Sequence, residues 1–417
     1  MLFSCNVREA DVGQSGYPSA PMNPVPPPTP APTGLASRPV LSHGVRPFFL
    51  AAALWAVAGM GLWIAALTGL AHPAEGYGLL AWHAHEFLFG YVGAVLSGFL
   101  LTAAPNWTGR ATLSGGPLLA LALLWLAGRI ALYAYGRVGP AALAVDVALL
   151  LAMALWFARE IIAARDWLNL RVVALILALA ASNVAFHREV VRHATPGVAA
   201  RLALALIVAL IMVIGGRITP TFTRNWLIAR RRPPYPPTFG RIDALAIALA
   251  VLGLIAWVAW PDGRFTGGLL LAGGGVQLLR LARWRGHATL AEPLVLVLHV
   301  GYAFVPLGFF ATALAVLRPD LLPATGALHA WTAGAVGVTT LGVMTRVTLS
   351  DTGRPPRAPR GTPLLYAAAV GAALLRLVAP LSAHTLALYY ASAIAWIMAF
   401  GGYLVVYGPF LLRASED

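Results

Sequence analysis

The run Phe48-Phe49-Leu50-Ala51-Ala52-Ala53-Leu54-Trp55-Ala56-Val57-Ala58-Gly59-Met60-Gly61-Leu62-Trp63-Ile64-Ala65-Ala66-Leu67-Thr68-Gly69-Leu70 contains no charged side chain. At 1.5 Å of rise per residue, a helix of this length crosses the roughly 30 Å hydrocarbon layer of a bilayer. Working outward, apolar stretches of about 18 to 25 residues alternate with short polar loops as far as the C-terminus. They predict spans near residues 48–70, 83–104, 117–135, 140–162, 170–187, 198–216, 243–260, 265–281, 292–317, 326–345, 363–380 and 384–412. The expected fold class is all-α, a polytopic membrane helical bundle of about twelve transmembrane helices.

Composition points the same way. The chain is 59% hydrophobic and 11% charged, whereas soluble globular chains carry roughly 25% charge. A soluble core cannot absorb that excess, so lipid must. A bundle in a bilayer packs as one unit, and residues 47–417 are expected to form a single transmembrane helical domain. Residues 1–46 are a different kind of sequence, rich in Pro, Ser and Gly, with the run Pro24-Val25-Pro26-Pro27-Pro28-Thr29-Pro30. They read as a disordered Pro-rich cytoplasmic tail, because they bury too little apolar surface to offset their ordering entropy. They lack the basic start and immediate apolar stretch of a secretory signal.

The net charge is +14, and every basic residue is Arg. Alternating the loops between the two sides puts about 21 arginines on the N-terminal side and about 6 on the other, so both termini are expected in the cytoplasm of a multi-pass inner-membrane protein. This is the distribution of topology determinants, not of a nucleic-acid patch. The loop from Arg217 to Arg241, with Arg230-Arg231-Arg232 followed by a Pro-rich turn, is the longest and most basic, and reads as a topology anchor. Cys5 stands alone, which excludes an intrachain disulfide and a thiolate metal centre. No Gly-x-x-x-x-Gly-Lys phosphate loop is present, which argues against ATP-driven pumping. No Cys-x-x-Cys-His is present either, so any haem would be non-covalent. No internal repeat is evident.

Ionisable groups inside spans are costly and are functional candidates by default. Trp82-His83-Ala84-His85-Glu86 opens the second span, His187 closes the fifth, and His329 lies just inside the tenth. The alternating topology puts these four histidines in one layer near the non-cytoplasmic face, where a metal or haem can be held between helices. His83 and His85 are about 200° apart around an ideal helix, so they cannot point at one ion. Asn183 and His187 share a helix face, so the amide is expected to orient that imidazole; Glu86, three residues after His83, is a second candidate for such support. His299 lies deeper in the ninth span toward the cytoplasmic side and is a candidate for a second metal. Asp146 and Arg129 are expected to neutralise each other between the third and fourth spans. Arg217 and Arg346 sit at cytoplasmic span ends, where snorkelling explains them, although Arg also partners haem propionates. His43, His72, His193, His287 and His384 read as surface residues.

Arg46-Pro47-Phe48-Phe49-Leu50, Trp82-His83-Ala84-His85-Glu86 with Phe89-Gly90, Gly98-Phe99-Leu100-Leu101-Thr102 and Pro105-Asn106-Trp107-Thr108-Gly109 resemble the NnrS family. The likeness continues through Asn183 to His187, Gly216-Arg217 with Pro220, Phe222-Thr223 and Asn225, His299-Val300-Gly301-Tyr302, and Leu328-His329-Ala330 to Met344-Thr345-Arg346. Gly44-Val45-Arg46 departs mildly from the Gly-Phe-Arg usual there. The resemblance implies a bacterial inner-membrane protein that holds non-covalent b-type haem and copper and is associated with nitric oxide, nitrosative stress and denitrification. It carries the cofactors over to His83, His85, His187, His299 and His329, without dividing them between the two metals, and Arg217 and Arg346 accompany them as candidate cofactor-binding residues. By layout alone, the histidine layer is similar to that of haem–copper oxidases, whose haem is held from the second and tenth spans. Here the sixth and seventh spans lack histidine, so the three-histidine copper site of those enzymes cannot be copied.

Three functions stay open at this point. The first is a haem and copper protein that binds or turns over nitric oxide or a metal-nitrosyl species, with an unidentified electron donor. The second is a transporter or metal-handling protein in which the histidines form a path. The third is a haem-based sensor or assembly factor. Membrane lipid and a small molecule are the expected partners, and nucleic acid is not.

Overall fold

The computed structural model describes residues 33–415, so the Pro24–Pro30 run and most of the tail lie outside the described residues. Twelve helices are long and apolar enough to cross a membrane. They are α1 (Val45–Leu67), α2 (Leu79–Thr108), α3 (Gly115–Tyr133), α4 (Ala141–Ala164), α5 (Leu170–His193), α6 (Val198–Ala229), α7 (Arg241–Ala259), α8 (Arg264–Ala282), α9 (Pro293–Leu317), α10 (Ala324–Asp351), α11 (Thr362–Leu381) and α12 (Thr385–Val406). Among the described residues there is no strand. The polytopic all-α bundle is thus the architecture.

From α3 onward each helix packs on the next, and α12 returns to pack on α1. The helices are not equivalent. In α2, α9 and α10, 78%, 72% and 67% of the apolar window is buried, against 33–50% in the other nine. The three innermost helices therefore carry His83, His85, His299 and His329. The outer helices leave Leu54, Leu155, Leu245, Phe265 and Val405 exposed, as lipid contact requires.

Several boundaries differ from expectation, among them the ends of the fifth span at His193, the tenth at Asp351 and the twelfth at Val406, and two have a clear local reason. The second span starts at Leu79 instead of residue 83, because Gly78, at φ 97°, turns the preceding loop directly into the helix. The sixth span runs to Ala229, not to 216, so the basic loop shrinks to the stretch between Ala229 and Arg241. Pro220 ought to interrupt it, since proline cannot donate to the carbonyl four residues back. That carbonyl belongs to Gly216, and Arg280 of α8 donates to it at 3.2 Å, so the helix passes through the proline with its acceptor satisfied.

The helices α2 and α10 share a second feature. Each contains a π-helical segment, Glu86–Tyr91 in α2 and Ala330–Val338 in α10, and each segment begins directly after a histidine, His85 or His329. A π turn rotates the side chains that follow it relative to a regular helix and is frequent at functional sites. The hydroxyls of Tyr91 and Thr340 meet at 2.6 Å and tie the two helices together beside these segments. At the opposite end, the buried Arg46 guanidinium joins the start of α1 to Asp351 at the end of α10 (3.1 Å) and to Ser415 Oγ near the C-terminus (2.8 Å).

Candidate metal centre

The centre is built from four helices and one loop at the arginine-poor end of the bundle. His85 comes from α2, Arg129 from α3, Asp146 from α4, Asn183 and His187 from α5, and Tyr77 from the loop before α2. Each helix contributes its group within about three turns of that end, so the side chains converge in one layer. All are buried.

Asp146 is the hub. Its Oδ2 lies 3.1 Å from Nε2 of His85 and 3.1 Å from Nε2 of His187, and it accepts from Asn183 Nδ2 at 2.8 Å. Its Oδ1 is in contact with the Arg129 guanidinium, so the expected Asp146–Arg129 pair is present. Arg129 also donates to Glu86 Oε2 at 2.8 Å. The His85 and His187 rings stack at 4.7 Å, and Phe89 and Phe186 pack on His85. Arg129 reaches this position because Gly90 has no side chain: a Cβ there would lie 2.5 Å from Arg129 Nη1 and 2.8 Å from Glu86 Oε2. The Trp125 indole donates to the Gly90 carbonyl at 2.9 Å and holds α3 against the π segment.

Proton positions follow from the partners. His85 Nε2 faces two acceptors, Asn183 Oδ1 at 2.9 Å and Asp146 Oδ2, so it carries the hydrogen. That leaves Nδ1 of His85 facing Glu86 Oε1 at 3.5 Å, and both atoms are buried without a hydrogen-bond partner among the described residues. On the other ring, Nδ1 of His187 meets the Tyr77 hydroxyl at 2.8 Å. Burial and the nearby Glu86 carboxylate push the Tyr77 phenol well above its usual range, so it stays protonated.

With both imidazoles neutral, two carboxylates face one guanidinium, and the cluster holds one excess negative charge away from water. Such a charge is costly unless a cation compensates it. His85, Asp146 and His187 offer ligand atoms all within 4.8 Å of one another, and they are the one such group of three or more among the described residues. This group can hold a metal ion.

The family model described as NnrS protein matches residues 39–415. The chain belongs to the NnrS family. Comparison with curated proteins finds no significant match. Membership in NnrS supports a membrane protein of the nitric oxide response, and the buried His-Asp-His group fits a family known for binding metal or haem.

In this NnrS chain the remaining sequence candidates separate into two further places. His83 turns away from His85, as its spacing required, and stacks on Trp63 of α1 at 4.1 Å; its Nδ1 is buried with no partner among the described residues. His329 Nδ1 donates to the Thr325 carbonyl at 2.6 Å, which leaves Nε2 as its lone-pair nitrogen. Arg376 of α11 lies within electrostatic range of both rings, stacks over Tyr389, and has a buried Nη1 without a partner among the described residues. His299 stands apart in α9, with Nε2 at 2.7 Å from the Thr223 hydroxyl. That hydroxyl donates to the Thr219 carbonyl, so it accepts from His299 and leaves His299 Nδ1 bare, buried and unpartnered among the described residues.

Two expectations need correction. Asn183 does not bond the His187 ring; it reaches across to His85 and Asp146, because one helical turn separates it from His187 while α2 and α4 lie directly opposite. Glu86 supports His85 and Arg129 instead of His83, since the π turn that starts at Glu86 swings its carboxylate toward α3. As their places in the spans implied, Arg217 and Arg346 lie at the other end of the bundle from His83, His85, His187 and His329. Arg346 follows His329 by about 25 Å along α10 and packs its guanidinium on Phe222 at 3.6 Å, out of reach of a group held in the layer. His287 is exposed, as expected, and lines a cleft between the loops that follow α6 and α8.

Asp146 and Tyr77 were not legible as parts of the centre. Spacing pairs Asp146 with Arg129 alone, and a second role for its other oxygen cannot be read from spacing. Tyr77 lies in a loop that carries no periodicity. The one available signal was Asp146 itself, an acid inside an apolar run.

Proposed function

We propose that this chain is a haem- and copper-containing protein of the bacterial inner membrane, with both termini cytoplasmic, that binds or turns over nitric oxide. The observation that carries the reading is the His85–Asp146–His187 group with its excess negative charge, in a chain of the NnrS family.

Copper is assigned to His85, Asp146 and His187. Imidazole suits copper, and a carboxylate with net negative surroundings favours a cation. The outer partners fit. When Nε2 of each ring serves as ligand, each Nδ1 carries the hydrogen and needs an acceptor. His187 finds the Tyr77 oxygen there, and His85 finds Glu86 Oε1, the atom now lacking a partner. Arg129 balances Glu86 and Asp146, while Phe89 and Phe186 keep water from the His85 ring.

Haem is assigned to His83 and His329, with Arg376 as the partner of an anionic haem substituent. The unpartnered nitrogen of His83, the tautomer set in His329 by Thr325, and the free Nη1 of Arg376 each offer a group that such a cofactor satisfies. When bound, haem iron and copper supply the one-electron chemistry and ligand positions that nitric oxide, an uncharged gas, requires.

Metal analysis and an absorption spectrum of the purified protein test the assignment. Haem and copper are expected in the wild type, copper lost in His187→Ala, and haem lost in His83→Ala. Protein without a Soret band and without copper, or unchanged contents in both variants, refutes the reading.

A further inference from the structure

At the arginine-rich end, the end of α6 and two loops enclose a cleft of about 500 Å³. Its floor is Trp226, Leu227 and Ala288, which pack with one another and with Val295 at the start of α9. Its walls are Arg232 and Pro233 from the loop after α6, and Arg285, His287 and Leu290 from the loop after α8. No carboxylate lines it. Arg285 donates to the Pro234 carbonyl and joins the two loops across the cleft, so the walls are braced against each other. Arg232 is exposed and makes no ion pair among the described residues. The Trp226 indole nitrogen is buried, at 9% exposure of its residue, and has no hydrogen-bond partner among the described residues.

The cleft lies at the arginine-rich end of the bundle, where α6 and α8 end and α9 begins. It is cationic on its walls and apolar on its floor, and Leu290 stands 70% exposed at its rim. A soluble anion uses the walls and leaves the apolar surface of Ala288 and Leu290 in contact with water. A molecule with a phosphate joined to an acyl glycerol uses both.

We propose that this cleft is a binding site for the headgroup of an anionic glycerophospholipid, with Arg232, Arg285 and the ring nitrogen of His287 on the phosphate and the glycerol ester region on Trp226, Ala288 and Leu290. The site is independent of the histidine layer, which lies at the other end of the bundle.

The test is native mass spectrometry of the full-length protein in detergent, titrated with dioctanoyl phosphatidylglycerol, dioctanoyl phosphatidylcholine or inorganic phosphate. Saturable retention of the phosphatidylglycerol in preference to the phosphatidylcholine is expected. Arg232→Gln should weaken it about fivefold, and His287→Ala should weaken it too, while Arg357→Gln in a separate exposed loop leaves it unchanged. Melting temperature is followed alongside, and the two variants act as independent reports should one fail to fold. Equal retention of both lipids, or wild-type retention by both cleft variants, overturns the proposal. Displacement of the lipid by inorganic phosphate at equal concentration overturns the lipid assignment in favour of a free anion.

Discussion

His85 Nδ1 and Glu86 Oε1 face each other at 3.5 Å, both buried and neither hydrogen-bonded among the described residues. The partner of each is the other, and what the pair lacks is a hydrogen between them. Moving the His85 hydrogen from Nε2 to Nδ1 satisfies both atoms and frees Nε2 beside Asp146 and His187. The empty bond and the metal centre are therefore two descriptions of one proton position.

Glu86→Gln tests this relationship. The amide keeps the volume and one acceptor oxygen but loses the charge and the second acceptor, so it cannot accept from both Arg129 and a metal-bound His85, and metal affinity should fall about 10- to 100-fold. A copper titration of the metal-free protein measures it. Affinity equal to wild type would show that the carboxylate has no part in the centre.

Asp146→Asn removes the hub. The excess negative charge goes with it, Arg129 stays paired with Glu86 at 2.8 Å, and the anionic ligand between the two imidazoles is lost. Thermal unfolding in detergent should show the metal-free variant melting near the wild-type temperature, because no buried charge is left uncompensated, while the variant should take up no copper.

Gly90→Ala should be damaging and Gly93→Ala harmless. A Cβ at 90 meets Arg129 and Glu86 at 2.5–2.8 Å, whereas one at 93 meets nothing within 4 Å. Overpacking of this sort costs about 1–3 kcal/mol, while the second change gains about 1 kcal/mol of helix propensity. Melting temperatures of the two variants, one turn apart on the same helix, give the comparison directly.

Arg376→Gln and Arg346→Gln separate the two arginine assignments. If Arg376 partners an anionic substituent of haem beside His83 and His329, its variant should lose haem on gel filtration and shift the absorption maximum. Arg346→Gln, packed on Phe222 about 25 Å along α10 from His329, should keep the wild-type spectrum.

Much was legible before any fold was known. Span count followed from runs such as Phe48–Leu70, because a bilayer leaves helices as the only way to satisfy the backbone of a long apolar segment. The height of His83, His85, His187 and His329 followed too, since position along a span is a matter of counting residues. The divergence of His83 from His85 was likewise forced by helical geometry.

Partner choice was not legible. Asn183 faces His85 because α2 and α4 happen to lie across from α5, and no spacing within α5 records that. Glu86 turns to Arg129 through a π turn whose carbonyl at Gly90 is held by Trp125 from another helix. Arg346 lies far from the layer, and Arg376 near it, because one follows its span's histidine by many turns and the other enters from a neighbouring helix. By itself, then, the sequence determined that this chain crosses the membrane about twelve times and at what depth its histidines lie, because hydrophobic length and helical rise are local quantities. Only the tertiary structure decided that Asp146 is their common hub and that the five histidines fall into three places, because these depend on which helix faces are packed together.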